Sequence, residues 1–472
     1  MANFYVTTAS AYTNGDPHIG YAMELILGDV LARYHRQQGD TVWYVTGTDE
    51  HGTKIKRAAE AANLSPLEYT TQVSQKFRDL APALNVATNQ FVRSTDPAHE
   101  KVAQLMWKAC EKDIYKAKYE GWYCVGCETF YTDIDVPDHI CPIHKKPMEQ
   151  VKEENYFFKL SAYTDQIKEL VASDKLLVRP ESRKNELMAL LEQGLEDISV
   201  SRDKKQLTWG VPVPGDDSQV MYVWFDALSY YISALGYPDG EKFKQFWPAN
   251  VQIVGKDILR HHAAIWPAML LSAGLPPEQS LFVHGFISSD GHKMSKSLGN
   301  VIAPHDVIEK YGVDTLRYYL LHEVPTGSDG DFTWARLEAV YNADLANDLG
   351  NLVQRVRVMV DRYLGGAIGE LPPHSHDITP YTEAMSALKL DRALDEIWLL
   401  IRGLNQYLEE EKPWELAKTD TAHLHEVLHH AVTDLVQIAA LLMPFLPTTA
   451  GKIAAAFADG HTHDVGILFP KS

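Results

Sequence analysis

The sequence predicts an α/β protein with a parallel sheet of the nucleotide-binding type, followed by a bundle of helices. A buried-strand pattern at residues 4–9 leads through a turn into apolar residues at helical spacing over 19–34. A second strand pattern at 41–47 completes a β-α-β unit. From about residue 340, long amphipathic helices replace the strand patterns. These observations indicate a sheet domain with a helical domain after it.

The loops of the β-α-β unit are the expected ligand-binding region, because open parallel sheets bind ligands at the carboxyl ends of their strands. These loops lie at 10–18 and 47–53. Strand patterns recur at 251–258 and 281–287, so an insertion divides the sheet. We expect the sheet to resume near 220–228, where the sequence reads VMYVWFDAL.

The changes of pattern predict the domain organisation of the chain. The insertion is rich in aromatic residues and cysteine, and its cysteine-containing part covers about 119–150. The predicted segments are a first half of the sheet domain (1–112), the insertion (113–211), a second half of the sheet domain (212–287), a lysine-containing loop with a linking subdomain (288–339), and the helical bundle (340–472).

Composition indicates a globular protein of several domains, with 472 residues, of which 45% are hydrophobic. The chain has no apolar run of about 18 residues and no basic leader, which predicts a cytoplasmic protein with no membrane partner. The formal net charge of −19 argues against a global electrostatic field for nucleic acid. Any RNA partner would have to bind through local patches and unpaired bases.

The insertion carries two pairs of potential metal ligands. Cys124 and Cys127 are followed after thirteen residues by Cys141 and His144. This spacing predicts a closed tetrahedral zinc site with a structural role, one ion per chain. The alternative is a pair of reduced thiols with a surface histidine. Cys110 lies on a helical segment and is expected to be buried and inert.

Two short motifs are candidates for phosphate binding. Residues 17–20 (PHIG) lie where the first strand turns into its helix, a position that aims backbone N–H groups at an anion. Residues 293–297 (KMSKS) place two lysines on a loop of small residues that could close over a polyphosphate. Either motif alone is common as a plain turn or a solvated loop. The chain contains neither a P-loop nor a dinucleotide-binding glycine motif.

Together the two motifs resemble the HIGH and KMSKS signatures of class I aminoacyl-tRNA synthetases. Further segments fall in the order and spacing of the methionine-specific family: TGTDEHG (46–52), YVWFDAL (222–228), GKDILRHHAAIWPA (255–268), GSDGDF (327–332) and NDLGNL (347–352). The resemblance implies a Rossmann-like class I fold with a zinc-containing connective insertion and a helical anticodon-binding bundle. It also implies that L-methionine is activated with ATP and Mg²⁺ and transferred to tRNA(Met). We expect a monomer.

The resemblance also implies roles for individual residues. The catalytic residues are expected to be His18, Lys293 and Lys296. ATP binding would add Pro17, Gly20, Tyr21 and Ser295. Methionine would contact Ser10, Tyr12, Asp49, Trp224, Ala227, Tyr231, Ile258 and His262, with Tyr12 and His262 near the sulfur. The anticodon would be read by Asn351, Arg355 and Trp414.

Two positions depart from the family. Tyr21 stands where the family usually has a second histidine, and Ser10 stands where relatives often have an apolar residue. Two other interpretations therefore stay open. One is another class I synthetase such as the cysteine enzyme, which would be expected to place zinc in its catalytic pocket. The other is a catalytically impaired paralogue that binds tRNA.

Overall fold

The computed structural model describes residues 1–126, 129–131, 136, 138–142, 145–294, 299–371 and 376–470. Two compact units divide the chain. Unit 1 comprises Met1–Pro17, Gly39–Pro82 and Val86–His284. Unit 2 comprises His18–Gln38, Ala83–Asn85 and Gly285–Ser472.

The described residues form strands and helices in the following order along the chain. The strands are β1 Asn3–Tyr12, β2 Thr41–Asp49, β3 Gln90–Arg93, β4 Ile114–Cys124, β5 Thr129–Tyr131, β6 Glu149–Phe158, β7 Leu177–Arg179, β8 Ile198–Ser199, β9 Ser201–Asp203, β10 Pro212–Val213, β11 Asp216–Met221, β12 Val251–Gly255, β13 Ser280–His284, β14 Ile287–Ser289, β15 His292–Lys293 and β16 Gly330–Phe332. The α-helices are α1 Ile19–Gln37, α2 Thr53–Ala61, α3 Pro66–Ala83, α4 Pro97–Cys110, α5 Thr164–Ala172, α6 Glu181–Gln193, α7 Val223–Leu228, α8 Tyr230–Ser233, α9 Glu241–Phe246, α10 Trp266–Ser272, α11 Pro304–Tyr311, α12 Val313–Tyr318, α13 Trp334–Val340, α14 Asn351–Leu364, α15 Thr379–Ser386, α16 Leu390–Glu411, α17 Pro413–Thr419, α18 Thr421–Leu442 and α19 Pro447–Ala456.

The central sheet of unit 1 is parallel, as the sequence predicts. Its strand order is β3-β2-β1-β12-β13-β7. The predicted strands correspond to β1, β2, β12 and β13, which are buried and rich in β-branched and aromatic residues. The edge strand β7 comes from within the predicted insertion and pairs in parallel with β13. With only three residues, it gives too short a pattern to be recognised as a strand of this sheet.

The expectation that the central sheet resumes at 220–228 is wrong. Strand β11 ends at Met221 and pairs with β9 and β10 in a separate three-stranded sheet. The residues that follow form the short helix α7. A short apolar run is compatible with both a buried strand and a buried helix, so periodicity alone did not separate them.

Within the insertion, the strands form an antiparallel sheet in the order β5-β4-β6-β8. The longest pairing joins β4 to β6 from Ile114↔Phe158 to Tyr123↔Glu149. Strand β4 therefore delivers Cys124 to the end of a long hairpin. Cys110, at the end of α4, is fully buried, and burial raises the pKa of its thiol to about 12. The expectation that Cys110 is buried is confirmed.

Unit 2 contains the predicted helical bundle, in which α14 and α16 pack against α18. The buried Arg317 donates hydrogen bonds to the carbonyl groups of Leu84, Pro444 and Phe445, and it pairs with Asp29 at 2.8 Å. A buried charge is tolerated when its donors are satisfied in this way. In the part of the chain that the structure describes, the helices lack the combination of length and apolar character that a membrane span requires.

Candidate functional site

The first part of the site lies in unit 1, where two neighbouring parallel strands end together. Tyr12 of β1 is the register partner of Asp49 of β2. Beyond the strand, the amide and hydroxyl of Thr13 both donate to the Asp49 carbonyl oxygen at 3.1 Å. Asp49 is only 6% exposed. The fold thus places a carboxylate and a tyrosine side by side at the carboxyl edge of the sheet, where the sequence predicted a ligand.

His262 is held as a neutral imidazole in the same unit. It lies in a π-helical turn, and its Nδ1 donates to the Ile258 carbonyl oxygen at 3.0 Å. Its Nε2 accepts a hydrogen bond from the Tyr231 hydroxyl at 2.7 Å. Burial lowers the pKa of His262 to about 4, so the ring is uncharged at neutral pH. Both ring nitrogens already take part in hydrogen bonds within the protein. A ligand can therefore contact the face of the His262 ring but cannot accept a hydrogen bond from it.

Aromatic rings surround this part of the site. The indole of Trp224 on α7 stacks on His261 with 3.8 Å between ring centroids. Tyr12 and Trp224 both pack against the cluster that contains Tyr123 of the insertion. Aromatic side chains of this kind are suited to contact an apolar ligand group. Unit 1 contains all of the side chains that the resemblance assigns to methionine: Ser10, Tyr12, Asp49, Trp224, Ala227, Tyr231, Ile258 and His262.

His18, in the first candidate phosphate motif, caps helix α1 in unit 2. The His18 Nδ1 accepts a hydrogen bond from the Gly20 amide at 3.0 Å, so the proton of the neutral ring is on Nε2. A Cβ at position 20 would lie 2.9 Å from the His18 ring, which explains the glycine. The side chain is exposed, yet the surrounding protein desolvates the ring enough to lower its pKa. His18 can thus offer an N–H donor at a helix N-terminus.

The segment that follows the second motif contacts the first motif within unit 2. The Ile19 amide donates to the Ile302 carbonyl oxygen at 3.2 Å, just after the lysine loop. Lys293 lies exposed on β15, which pairs with β14. The turn between these strands has positive φ angles at Asp290 and Gly291, typical of a tight hairpin. Ser295 and Lys296 lie outside the described residues.

Pro17 and Tyr21 flank the capping histidine. Pro17 is half-buried, and Tyr21 is 8% exposed in the first turn of α1. The Tyr21 amide donates to the His18 carbonyl oxygen at 3.0 Å.

A pocket of about 520 Å³ lies on the helical bundle of unit 2. Arg355 donates to Glu409 at 2.6 Å and to Asn405 at 2.8 Å, which holds its guanidinium at the pocket wall. Trp414 is the second residue of α17, after Pro413; it is 37% exposed and is not among the lining residues. The pocket is lined by Asn347, Asn351, Gln354, Arg355, Val358, Met359 and Asn405.

The described cysteines of the insertion share one buried cluster. Cys124 is 5% exposed and Cys141 is fully buried, and both pack with Val136 and Met148. The Lys145 amide donates to the Cys141 carbonyl oxygen at 2.8 Å, which closes a turn after this cysteine. Cys127 and His144 lie outside the described residues.

Comparison with known families decides the identity of the chain. The model of class I tRNA synthetases of the methionine group matches residues 4–150 and 134–357. The model of the anticodon-binding domain of methionyl-tRNA ligase matches residues 371–465. The chain belongs to the methionine–tRNA ligase family of class I aminoacyl-tRNA synthetases. The alternative of a cysteine-specific synthetase is thereby set aside.

Similar proteins extend over nearly the whole chain. A methionine–tRNA ligase of Caldanaerobacter subterraneus subsp. tengcongensis is 42% identical over 468 residues, covering 95% of this chain and 73% of that protein. One of Brucella melitensis biotype 1 is also 42% identical and covers 97% and 92% of the two chains. A crystal structure of Mycobacterium tuberculosis methionyl-tRNA synthetase bound by methionyl-adenylate is 34% identical, with a TM-score of 0.93 and coverage of 99% and 100%. As a member of this family, the chain activates methionine with ATP and charges tRNA.

The structure adds a group of positioning residues that sequence reasoning missed. Asp226 on α7 is 1% exposed, and its two carboxylate oxygens contact His51 Nδ1 at 2.7 Å and His99 Nε2 at 2.9 Å. Burial acts to raise the pKa of Asp226, but the two histidines have the larger, opposite effect. The net result is a pKa lowered to about 2. Burial opposes the charged form of His51, but Asp226 reverses this and raises its pKa. This bridge ties the family motif after β2 to the helix that carries Trp224.

Glu50 also holds the family motif at 46–52 in place. It is fully buried, and its carboxylate accepts hydrogen bonds from Arg93 at 2.8 Å, from Thr48 at 2.7 Å and from Thr95 at 2.6 Å. The Trp209 indole donates to the Glu50 carbonyl oxygen at 2.6 Å. The sequence contained one signal for these residues, because the family motif has Asp49, Glu50 and His51 in succession. It could not reveal Arg93, Trp209 and Asp226, which bond to Glu50 and His51 from far away in the sequence.

Proposed function

We propose that, in the activation step, methionine binds to residues of unit 1 and the triphosphate of ATP binds to the motifs at 17–20 and 293–297. In this step a carboxylate oxygen of methionine attacks the α-phosphorus of ATP. The bond from that phosphorus to the pyrophosphate oxygen breaks, and methionyl-adenylate remains. The substrates already contain the nucleophile and the leaving group, so the protein must supply alignment and positive charge.

The neutral state of His262 carries the methionine assignment. A thioether is apolar and polarisable, and an imidazolium at this place would attract polar ligands instead. With the Tyr231 hydroxyl and the Ile258 carbonyl holding the ring, His262 presents its surface to the side chain. Asp49 then accepts hydrogen bonds from the methionine ammonium group. We expect Tyr12 and Trp224 to form the remaining walls.

For ATP, we propose that His18 donates from Nε2 to a phosphate oxygen. The capping hydrogen bond from Gly20 keeps the proton on that nitrogen, so the donor needs no charge on the ring. Lys293 and Lys296 would stabilise the negative charge that develops as pyrophosphate leaves. Mg²⁺ would accompany the triphosphate as a counter-charge.

For the transfer step, we propose that the bundle of unit 2 reads the anticodon of tRNA(Met). Asn351 and Arg355 share one face of α14 and line the same pocket, which supports their assignment to the first anticodon base. The exposed Trp414 provides a surface on which an unpaired base can stack. The adenylate is then attacked by a terminal hydroxyl of the tRNA.

The insertion would hold one structural zinc ion. Cys124 and Cys141 lie buried in one cluster, which is the placement that thiolate ligands of a closed site require. Cys127 and His144 would complete the site. When bound, zinc would crosslink a hairpin with a small core of its own. We further propose that the protein acts as a cytoplasmic monomer.

The assignment of methionine to unit 1 is tested by Tyr231→Phe in methionine-dependent exchange of pyrophosphate into ATP. Loss of the hydroxyl leaves the buried His262 Nε2 without a donor, a cost of about 1 to 3 kcal/mol. We expect the KM for methionine to rise roughly tenfold, at about 1.4 kcal/mol per factor of ten, while the KM for ATP stays unchanged. Tyr363→Phe on α14 serves as the control. Equal changes of both KM values, or no change, would contradict the assignment.

A further inference from the structure

Three potential metal ligands meet on the helical bundle of unit 2, on residues that the tRNA-charging reaction does not use. His430 and Asp434 lie one turn apart on α18, and His376 lies in the segment before α15. The His376 Nε2 is 2.9 Å from Asp434 Oδ2, and the His430 Nε2 is 3.4 Å from the same oxygen. The ligand atoms of the three residues all lie within 4.8 Å of one another.

The contact between His376 and Asp434 is not a hydrogen bond. Among the described residues, His376 Nε2 has no hydrogen-bond partner, although the carboxylate oxygen is only 2.9 Å away. The Asp434 side chain is only 6% exposed, so water can do little to solvate the negative charge of its carboxylate. A buried ring nitrogen without a hydrogen bond calls for a partner, and a metal ion bound to Nε2 and to the carboxylate oxygen would supply one.

The distances match the spacing of ligands around a small transition metal. With bonds of about 2.0 Å to each ligand, neighbouring donor atoms of a tetrahedral site are roughly 3.3 Å apart. The observed 2.9 and 3.4 Å bracket this value. Two imidazole nitrogens and one carboxylate oxygen select zinc, nickel, cobalt or copper over magnesium or calcium. Three protein ligands leave a further position for water.

Two contacts hold the ligand-bearing segments in place. The Tyr407 ring lies against His430, with ring centroids 4.7 Å apart. The Gln437 side chain donates to the His376 carbonyl oxygen at 3.5 Å, which holds the segment before α15 against α18.

We propose that His376, His430 and Asp434 form a second metal site, which binds a divalent transition metal and fastens the segment before α15 to helix α18. This site is independent of the cysteine cluster in the insertion and of the activation chemistry. Its occupation stabilises the bundle and leaves adenylate formation unchanged.

Nickel titration of tag-free protein that was purified without chelator tests the site. Isothermal calorimetry with Ni²⁺ should show one saturable site in the wild type. Asp434→Asn and His430→Gln should each weaken binding by at least about tenfold, because each removes a direct ligand. His425→Gln, an exposed histidine on the same helix, is the matched control and should bind like the wild type. A large excess of Mg²⁺ should not compete.

A second measurement separates metal binding from a folding defect. Ni²⁺ should raise the Tm of the wild type and of His425→Gln, but not that of Asp434→Asn, whose far-ultraviolet circular dichroism should be normal. Binding that is equal in the wild type and Asp434→Asn would overturn the proposal. Absence of saturable Ni²⁺ binding in the wild type would also overturn the proposal. The contacts of His376 and His430 with Asp434 would then be ion pairs without a metal.

Discussion

In the proposed methionine site of unit 1, Tyr231 and His262 are buried and bonded to each other, whereas His18 and Lys293 of unit 2, which we assign to phosphate binding, are exposed. His262 uses both nitrogens on Tyr231 and Ile258, and the motif after β2 is fixed by Asp226. His18 instead bonds to an amide two residues away, and Lys293 is exposed on the short strand β15. A neutral thioether needs a dry, preformed cleft, while a polyphosphate needs accessible cations.

This contrast predicts different signatures for the two regions. Substitutions around the pocket should change stability together with methionine binding. Substitutions in the phosphate motifs should change the rate of activation and leave stability nearly unchanged.

The largest effect is expected for Asp226→Asn, which breaks a buried pair. Removing one partner of such a pair costs about 3 to 5 kcal/mol of the free energy of unfolding. We also expect a higher KM for methionine, because α7 carries Trp224. Urea unfolding and pyrophosphate exchange measure the two effects. Asp79→Asn, at an exposed site in the same unit, is the control.

The same variant has a defined pH dependence. The pKa of His51 is raised in the folded state, so its contribution to stability is complete below the unfolded value of about 6.5. It is lost as the pH rises through the folded value. The pKa of Asp226 is lowered to about 2, so its contribution disappears only in strong acid. The stability gap between wild type and Asp226→Asn should therefore be larger at pH 6 than at pH 9. A gap that widens in alkali would refute the charged pair.

The next largest effect is expected for Lys296→Ala. Removing a group that stabilises transition-state charge lowers the rate about 100- to 1000-fold, equivalent to roughly 3 to 4 kcal/mol. The KM for methionine and the unfolding curve should stay near those of the wild type. Lys452→Ala removes an exposed lysine from the same unit as a control. Unchanged exchange activity would remove the loop from the mechanism.

A smaller effect is expected for Trp414→Ala, because loss of one base stack costs about 1 to 3 kcal/mol. Charging of tRNA should fall about ten- to a hundredfold, whereas pyrophosphate exchange, which needs no tRNA, should not change. Trp334→Ala is the matched control, because the side chain of Trp334 is 38% exposed and that of Trp414 is 37% exposed. Equal losses in both assays would make Trp414 a packing residue.

The smallest effect is expected for Tyr21→His, which restores the residue usual in the family. The capping contacts of His18 do not involve the Tyr21 side chain. We therefore expect the KM for ATP to change by about threefold or less, or roughly 0.7 kcal/mol, with methionine selectivity unaffected. Total loss of activity would show that the neighbouring packing depends on the tyrosine.

The sequence by itself determined the parallel sheet, the helical bundle and the residues of the short motifs. His18 and Gly20 could be predicted because a capping contact joins residues that are two positions apart. The helix at 390–411 could be predicted because its buried residues recur at helical spacing. The predicted domain bounds and the roles of individual site residues stay predictions.

Only the tertiary structure decided which distant side chains meet. Asp226 and His51 are 175 positions apart, and Glu409 is 54 positions from its partner Arg355. No local pattern encodes such pairs, because strand order and helix packing bring them together. The Tyr231 hydroxyl that bonds to the His262 Nε2 likewise comes from another helix. Periodicity reports which face of an element is buried, but the partner that satisfies a buried polar atom follows from the fold.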